Sequence, residues 1–235
     1  MSERGLERLG ASMGIVWFVL VLASALVVPR PPGIDDSTSS IAAYFSDNHS
    51  RIPLSAALGA LAGAAFLWFA AHLGRRLQRA EGGAEAFSSI VFASGVVFAV
   101  FSALRSLPYS TLAMLSQQSE AGDAGVVTRA LYDLHNMFDG VIGVMAALLF
   151  ATAGMAIIRG ALARPWLGWF GMLAALVALA TGIARFYVTS APALAEVLGV
   201  ASIITVGLWI LVASLVMLYR PEVDRTASVR AVLTH

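Results

Sequence analysis

The chain has 235 residues and no cysteine. That excludes disulfides, a thiolate nucleophile and any zinc or iron–sulfur centre held by Cys. Lysine is missing too, since all 15 basic residues are Arg, so no Schiff base can form on a Lys amine. Charge of either sign is scarce. Only 12% of residues are charged and the net charge is +1, whereas soluble domains carry about 25% charged residues. A near-neutral chain offers no basic surface to nucleic acid, and none is expected as a partner.

What is present is oil: 59% of the residues are hydrophobic. Six apolar runs, at about 11–28, 53–74, 86–104, 140–158, 166–184 and 197–218, reach the length of about 20 residues that a bilayer span needs. None contains a charged residue, and His72 is the one ionisable group inside them. Backbone groups in lipid must be satisfied within the segment, so the runs predict helices. No alternating pattern suggests a barrel. The expected fold is all-α, a polytopic membrane bundle of six transmembrane helices. The first run exceeds the ~7–15 apolar residues of a signal peptide and is expected to be retained, although Arg4, Arg8 and the Ala23-Ser24-Ala25 stretch have the look of one. Residues 221–235 are expected to form a disordered cytoplasmic tail.

Arginine placement sets the orientation. With the N-terminus inside, the inner segments hold ten Arg and the outer segments five, which favours both termini in the cytoplasm. Ala, Gly and Arg in place of Lys suggest a high-GC genome, and the expected location is the bacterial cytoplasmic membrane. Outside, the stretch 29–52 opens with Pro-Arg-Pro-Pro-Gly and then offers Ser37–Ser40 as a helix cap. Ile41, Tyr44 and Phe45, at i, i+3 and i+4, predict a short helix lying on the outer interface with that face down. With 109–130 it would build a small extracytoplasmic cap. Asn48-His49-Ser50 has the form of a glycosylation sequon and is read as coincidence.

The most informative stretch is 131–158. On a helix, Tyr132, His135, Asn136 and Asp139 share one arc of about 100°. The arc continues as Gly143, Ala146, Ala147, Phe150, Ala153 and Gly154, and the bulky opposite face of Val141, Val144, Met145, Leu148 and Leu149 should meet lipid. Near the same boundary, Arg105 ends the third run, Arg185 the fifth, and Glu196 opens the sixth. Arg105, Tyr132, His135, Asn136, Asp139 and Arg185 therefore form the candidate ligand-binding set. The Arg pair would hold a carboxylate or phosphate, while Asp139 pairs with Arg105 or Arg185 and His135 reaches Asp139 one turn away. The plainer reading is that each helix turns polar where it leaves the lipid and that ion pairs fix the ends.

Other chemistries have little to stand on. His-x-x-x-Asp is a weak metal signal. His72 and His135 lie at opposite ends and cannot share a haem. No nucleophile motif accompanies Ser106 or Ser110. No catalytic residue, metal or cofactor is expected. The runs carry no mid-membrane acid and no Pro break of the kind that coupled transporters use. Gly59-x-x-x-Gly63 predicts close helix packing. His72 is expected to sit among headgroups at the cytoplasmic boundary.

Four passages, IAAYFSDNHSRI, FLWFAAHLGRRL, RPWLGWFGMLAALVAL and LWILVASLVMLYR, together resemble a family of uncharacterised multi-pass membrane proteins of high-GC bacteria, especially actinobacteria. The resemblance implies the topology and brings no catalytic residues. The expected function is that of a non-enzymatic membrane protein, an accessory subunit or a binder of a small amphiphile in an outward-facing polar pocket, with the bilayer, a lipid or amphiphile and other membrane subunits as partners. The alternatives are a passive or secondary transporter and a membrane enzyme of the outer leaflet.

Overall fold

The computed structural model describes residues 3–81, 86–118, 124–160, 163–187 and 191–219. Among them are eight helices and no strand: α1 (Glu3–Val27), α2 (Thr38–Asp47), α3 (Arg51–Glu81), α4 (Ala86–Leu104), α5 (Ser106–Leu115), α6 (Ala124–Gly160), α7 (Pro165–Phe186) and α8 (Pro192–Tyr219). Six segments are long and apolar enough to cross a membrane: Gly5–Val27, Arg51–Ala80, Ala86–Leu115, Gly125–Arg159, Pro165–Phe186 and Pro192–Tyr219. The tail 221–235 lies outside the described residues, as does part of the 109–130 stretch of the expected cap, at 119–123.

The six spans form a closed ring. Each packs on its neighbour in chain order, α1 on α3, α3 on α4, α4 on α6, α6 on α7 and α7 on α8, and α8 returns to α1. Short connections between antiparallel neighbours dictate this order. The middle of the ring is solid. Phe66 and Phe98 meet with ring centroids 4.7 Å apart, and Phe150 stands edge-on to Trp209 at 5.1 Å. The buried Trp209 indole N–H donates to the Leu167 carbonyl at 3.0 Å, tying α8 to α7.

Backbones come closest between α6 and α7. A Cβ on Gly143 would lie 2.6 Å from Gly182 Cα, and one on Gly154 would lie 2.7 Å from the Gly168 carbonyl oxygen. Without lipid-excluding hydrophobic drive, helices in a bilayer associate through such contact of small surfaces. The small arc of α6 is thus spent on α7. The Gly59/Gly63 pair does less than its spacing suggests. Gly59 faces open space, and a Cβ on Gly63 would meet the Ala99 carbonyl at an ordinary 3.4 Å. The bulky face of α6 is also narrower than expected. Leu148 is exposed but Leu149 is buried, because α4 flanks α6 on the side away from α7.

Helix boundaries outrun the apolar stretches. α6 starts at Ala124, well before the first apolar residue of its run, and α4 continues through Arg105 into α5. Pro108 lies in the first turn of α5, where its missing N–H is tolerated. Ser37 caps α2 by accepting the Ser40 N–H at 3.2 Å. The Ile41/Phe45 face of α2 points down, as expected, but onto protein. It is buried against Ile52, Leu112, Ala113 and Tyr132, and no headgroup layer is needed to receive it. α2, α5 and the start of α6 thereby form a cap over one end of the ring. The Asn48 amide of the sequon is occupied locally, donating to the Tyr44 carbonyl at 2.9 Å.

Candidate functional site

The candidate residues gather under the cap, and α6 supplies most of them. Its arc points inward, with Tyr132, His135 and Asn136 all buried. Asp139 takes the Arg105 guanidinium, Nε to Oδ1 at 3.0 Å, with 17% of the Asp side chain and 43% of the Arg side chain exposed. Between the two expected partners of Asp139, the structure selects Arg105. Arg185, from the end of α7, donates instead to Asn136 Oδ1 at 3.4 Å. Its Nε is buried with no hydrogen-bond partner, and its guanidinium lies against Gly199 of α8, where any side chain would collide with it.

His135 does not reach toward Asp139. Its Nδ1–H donates to the Arg105 carbonyl at 2.7 Å, which fixes the tautomer at that nitrogen. Arg105 is the residue between α4 and α5, so His135 ties α6 to the joint between them. The imidazole is stacked on Tyr109 at 3.5 Å and 14°, and Tyr109 in turn stacks on Tyr132 at 5.6 Å. Asn136 donates to the Tyr132 carbonyl at 3.0 Å. The Tyr132 hydroxyl donates to the Pro32 carbonyl of the segment before α2. That segment is held twice more: Tyr44 donates to the Pro29 carbonyl at 2.7 Å, and Arg129, paired with Asp133 at 3.1 Å, donates to the Asp36 carbonyl at 3.4 Å. Burial and the neighbouring Tyr132 push the Tyr44 hydroxyl up to about 12, so it stays a donor at any physiological pH.

All six candidates therefore share one neighbourhood, and the charges of Arg105, Asp139 and Arg185 all act on His135. Glu196 does not join them; it pairs with Arg30 at the surface. Tyr109 was missed in the sequence. Its only signal was its place five residues beyond the third run, beside Pro108. No group of three or more His, Cys, Asp or Glu side chains comes together among the described residues.

The other end differs from expectation. His72 is not among headgroups but 3% exposed, its ring against Gly10 of α1, with Nε2 lacking a hydrogen-bond partner. Arg76, one turn on, is 6% exposed, while Arg79 pairs outward with Glu7 at 3.1 Å. The signal was available. Phe69, His72, Leu73 and Arg76 follow i, i+3, i+4, i+7, the pattern of one buried face.

A family model described as a domain of unknown function, DUF4386, matches residues 11–214. No curated protein and no solved structure matches the chain.

Proposed function

The chain belongs to the DUF4386 family, and from that premise we propose that it is a non-enzymatic protein of the bacterial cytoplasmic membrane that binds a small anionic amphiphile beneath its cap, alone or as an accessory subunit of a larger assembly. In this reading both termini are cytoplasmic and the cap is extracytoplasmic, following the Arg distribution. The observation that carries the proposal is the state of the two arginines. Arg105 is held by one nitrogen and leaves much of its side chain exposed. Arg185 is buried on an edge that nothing on the protein satisfies. Buried donors without acceptors are costly, and an incoming carboxylate or phosphate oxygen would relieve that cost. The exposed Leu104, Leu107 and Phe186 beside them suit an acyl chain. Support for binding over transport comes from the aromatic packing inside the ring, where Phe66, Phe69, Phe98, Phe150 and Trp209 are all buried.

The test is thermal unfolding of the purified chain in a zwitterionic detergent, with and without laurate below its micellar concentration. Laurate is expected to raise Tm in the parent. Arg185→Gln, whose partner Asn136 has other bonds, should keep the parent Tm in detergent alone and lose most of the laurate shift. An unchanged shift in Arg185→Gln, or no shift in the parent, sinks the proposal.

A further inference from the structure

Between α1 and α2, residues 28–36 form a strap across the capped end. Its sequence makes it stiff and leaves it few bonds of its own. Pro29, Pro31 and Pro32 fix their φ angles and carry no N–H. Among the described residues, the backbone–backbone bond inside the strap is Asp36 N–H to the Gly33 carbonyl at 3.1 Å. Side chains of other elements hold it in place. Its ends are fastened to the cap: Tyr44 of α2 donates to the Pro29 carbonyl at 2.7 Å, and Arg129 of α6 donates to the Asp36 carbonyl at 3.4 Å. Val28 adds an apolar anchor at the first end, packed against the cluster that holds Ile41 and Phe45. The middle of the strap is fastened at two points. Arg30 pairs with Glu196 of α8, and the Pro32 carbonyl accepts from the Tyr132 hydroxyl of α6.

Those two middle contacts stand over Arg185. On α8, Gly199, which the Arg185 guanidinium lies against, comes three residues after Glu196. On α6, Asn136, which accepts from Arg185, comes four residues after Tyr132. Both helices run away from the cap, and a helix rises about 1.5 Å per residue, so Arg185 is held about one turn beneath both points. Its charge acts on the Tyr132 hydroxyl. α7 stands between α6 and α8 in the ring, and the strap crosses its end from α8 to α6. Arg185 Nε is buried, so an incoming oxygen needs a path that this covering does not leave. We propose that the strap is a gate on the amphiphile site, latched by Arg30 and Glu196, which opens to admit an anionic head and closes over it. The gate rests on the binding proposed above. Its latch suits the task. The Arg30 and Glu196 side chains are 75% and 56% exposed, and an exposed ion pair is weak and screened by salt. Opening the middle breaks that pair and one neutral hydrogen bond while both ends stay fastened. A segment with few buried contacts and few backbone bonds opens locally without unfolding the helices beneath it.

Because the chain has no cysteine, Arg30→Cys combined with Glu196→Cys places the only two thiols at the latch. The full chain carrying both is bridged in zwitterionic detergent with a short bis-methanethiosulfonate, which a reductant removes. Radiolabelled laurate is added before or after bridging. Laurate added first should stay with the protein through gel filtration until the bridge is reduced. Laurate added second should be excluded, with no rise in Tm until reduction restores it. A bridge that only distorted the site would abolish binding in both orders, and that result overturns the gate. Binding in both orders with the release rate of the reduced form overturns it as well. A second pair of variants keeps thiols out of the test. Arg30→Glu sets like charges at the latch and should speed laurate release by about two- to fivefold, the scale of one exposed ion pair. Arg30→Glu with Glu196→Arg should return it to the parent rate. Should the cysteine pair not fold, these charge variants decide: equal release from Arg30→Glu and the parent overturns the gate and leaves the binding site standing. No laurate response in the parent removes the site, and the gate with it.

Discussion

Asp139 is the anionic partner of Arg105 beneath the cap. A carboxylate at this depth needs a cation and hydrogen bonds, and it has Arg105 at 3.0 Å. The pair is partly exposed, so its worth lies between the 0.2–1 kcal/mol or so of surface pairs and the roughly 3–5 kcal/mol lost when a buried pair is broken. Asp139→Asn keeps the shape and removes the charge, and should cost about 1–2 kcal/mol. Thermal unfolding in detergent should show this as a lower Tm that does not recover at high salt. His135 plays a different part. Because its Nδ1–H is committed to the Arg105 carbonyl, His135→Ala should loosen the joint between α4 and α5, whereas His135→Asn can keep a donor there. Amide exchange around residues 105–109 should rise in the Ala variant and rise less in the Asn variant. Equal protection in both would mean that the ring stacked on Tyr109, not the hydrogen bond, holds the joint. At this scale the sequence is legible where polarity and periodicity coincide. The arc of Tyr132, His135, Asn136 and Asp139 could be read directly, because boundary residues have no other reason to share a face. The partners could not, since which carbonyl His135 meets depends on a helix break thirty residues away in the chain.

The α6–α7 hairpin brings two helix backbones into direct contact. Gly143 and Gly182 touch backbone to backbone, as do Gly154 and Gly168, and no side chain stands between them to yield. Any substitution at Gly143 must push the helices apart by more than an ångström, which costs dispersion along the whole seam. Gly143→Leu is expected to lower stability by more than about 3 kcal/mol or to prevent folding. Gly59→Leu, on a helix position that faces open space, should change Tm by no more than a surface substitution does. The comparison is sharp because motif spacing alone ranks these glycines the other way: Gly59 and Gly63 form a GxxxG pair, whereas Gly143 has no such partner within its own helix. Close approach is a property of two helices, and a single sequence shows only one side of it. The same limit applies to α2. Its amphipathic face was plain, but whether that face meets headgroups or the Leu112–Tyr132 surface depends on how far α5 and α6 project, and α6 projects past its apolar run with Arg129, Tyr132 and His135 hydrogen-bonded to protein carbonyls.

Across the whole molecule, the ring has two polar ends of opposite character. The capped end pairs its charges within the chain: Arg105 with Asp139 and Arg129 with Asp133, both partly buried, and Arg30 with Glu196 at the surface. At the other end, Arg79 pairs with Glu7 and Arg159 lies 5.4 Å over the Phe87 ring, and Arg75 and Arg164 add further positive charge there. Excess Arg at one end is the determinant that holds a multi-span protein in one orientation, because moving unpaired cations across the membrane is disfavoured. The absence of cysteine makes this directly measurable. Single cysteines placed at Ser39 in the cap and at Gln78 at the other end would each be the sole thiol in the chain. In intact bacterial cells, a membrane-impermeant maleimide should label Ser39→Cys at once and Gln78→Cys only after the cells are opened. Reversed labelling would put the cap in the cytoplasm and move the proposed amphiphile site to the inner leaflet. Labelling of both in intact cells would mean that the Arg excess does not fix one orientation, and then the proposed amphiphile site could not be assigned to one leaflet.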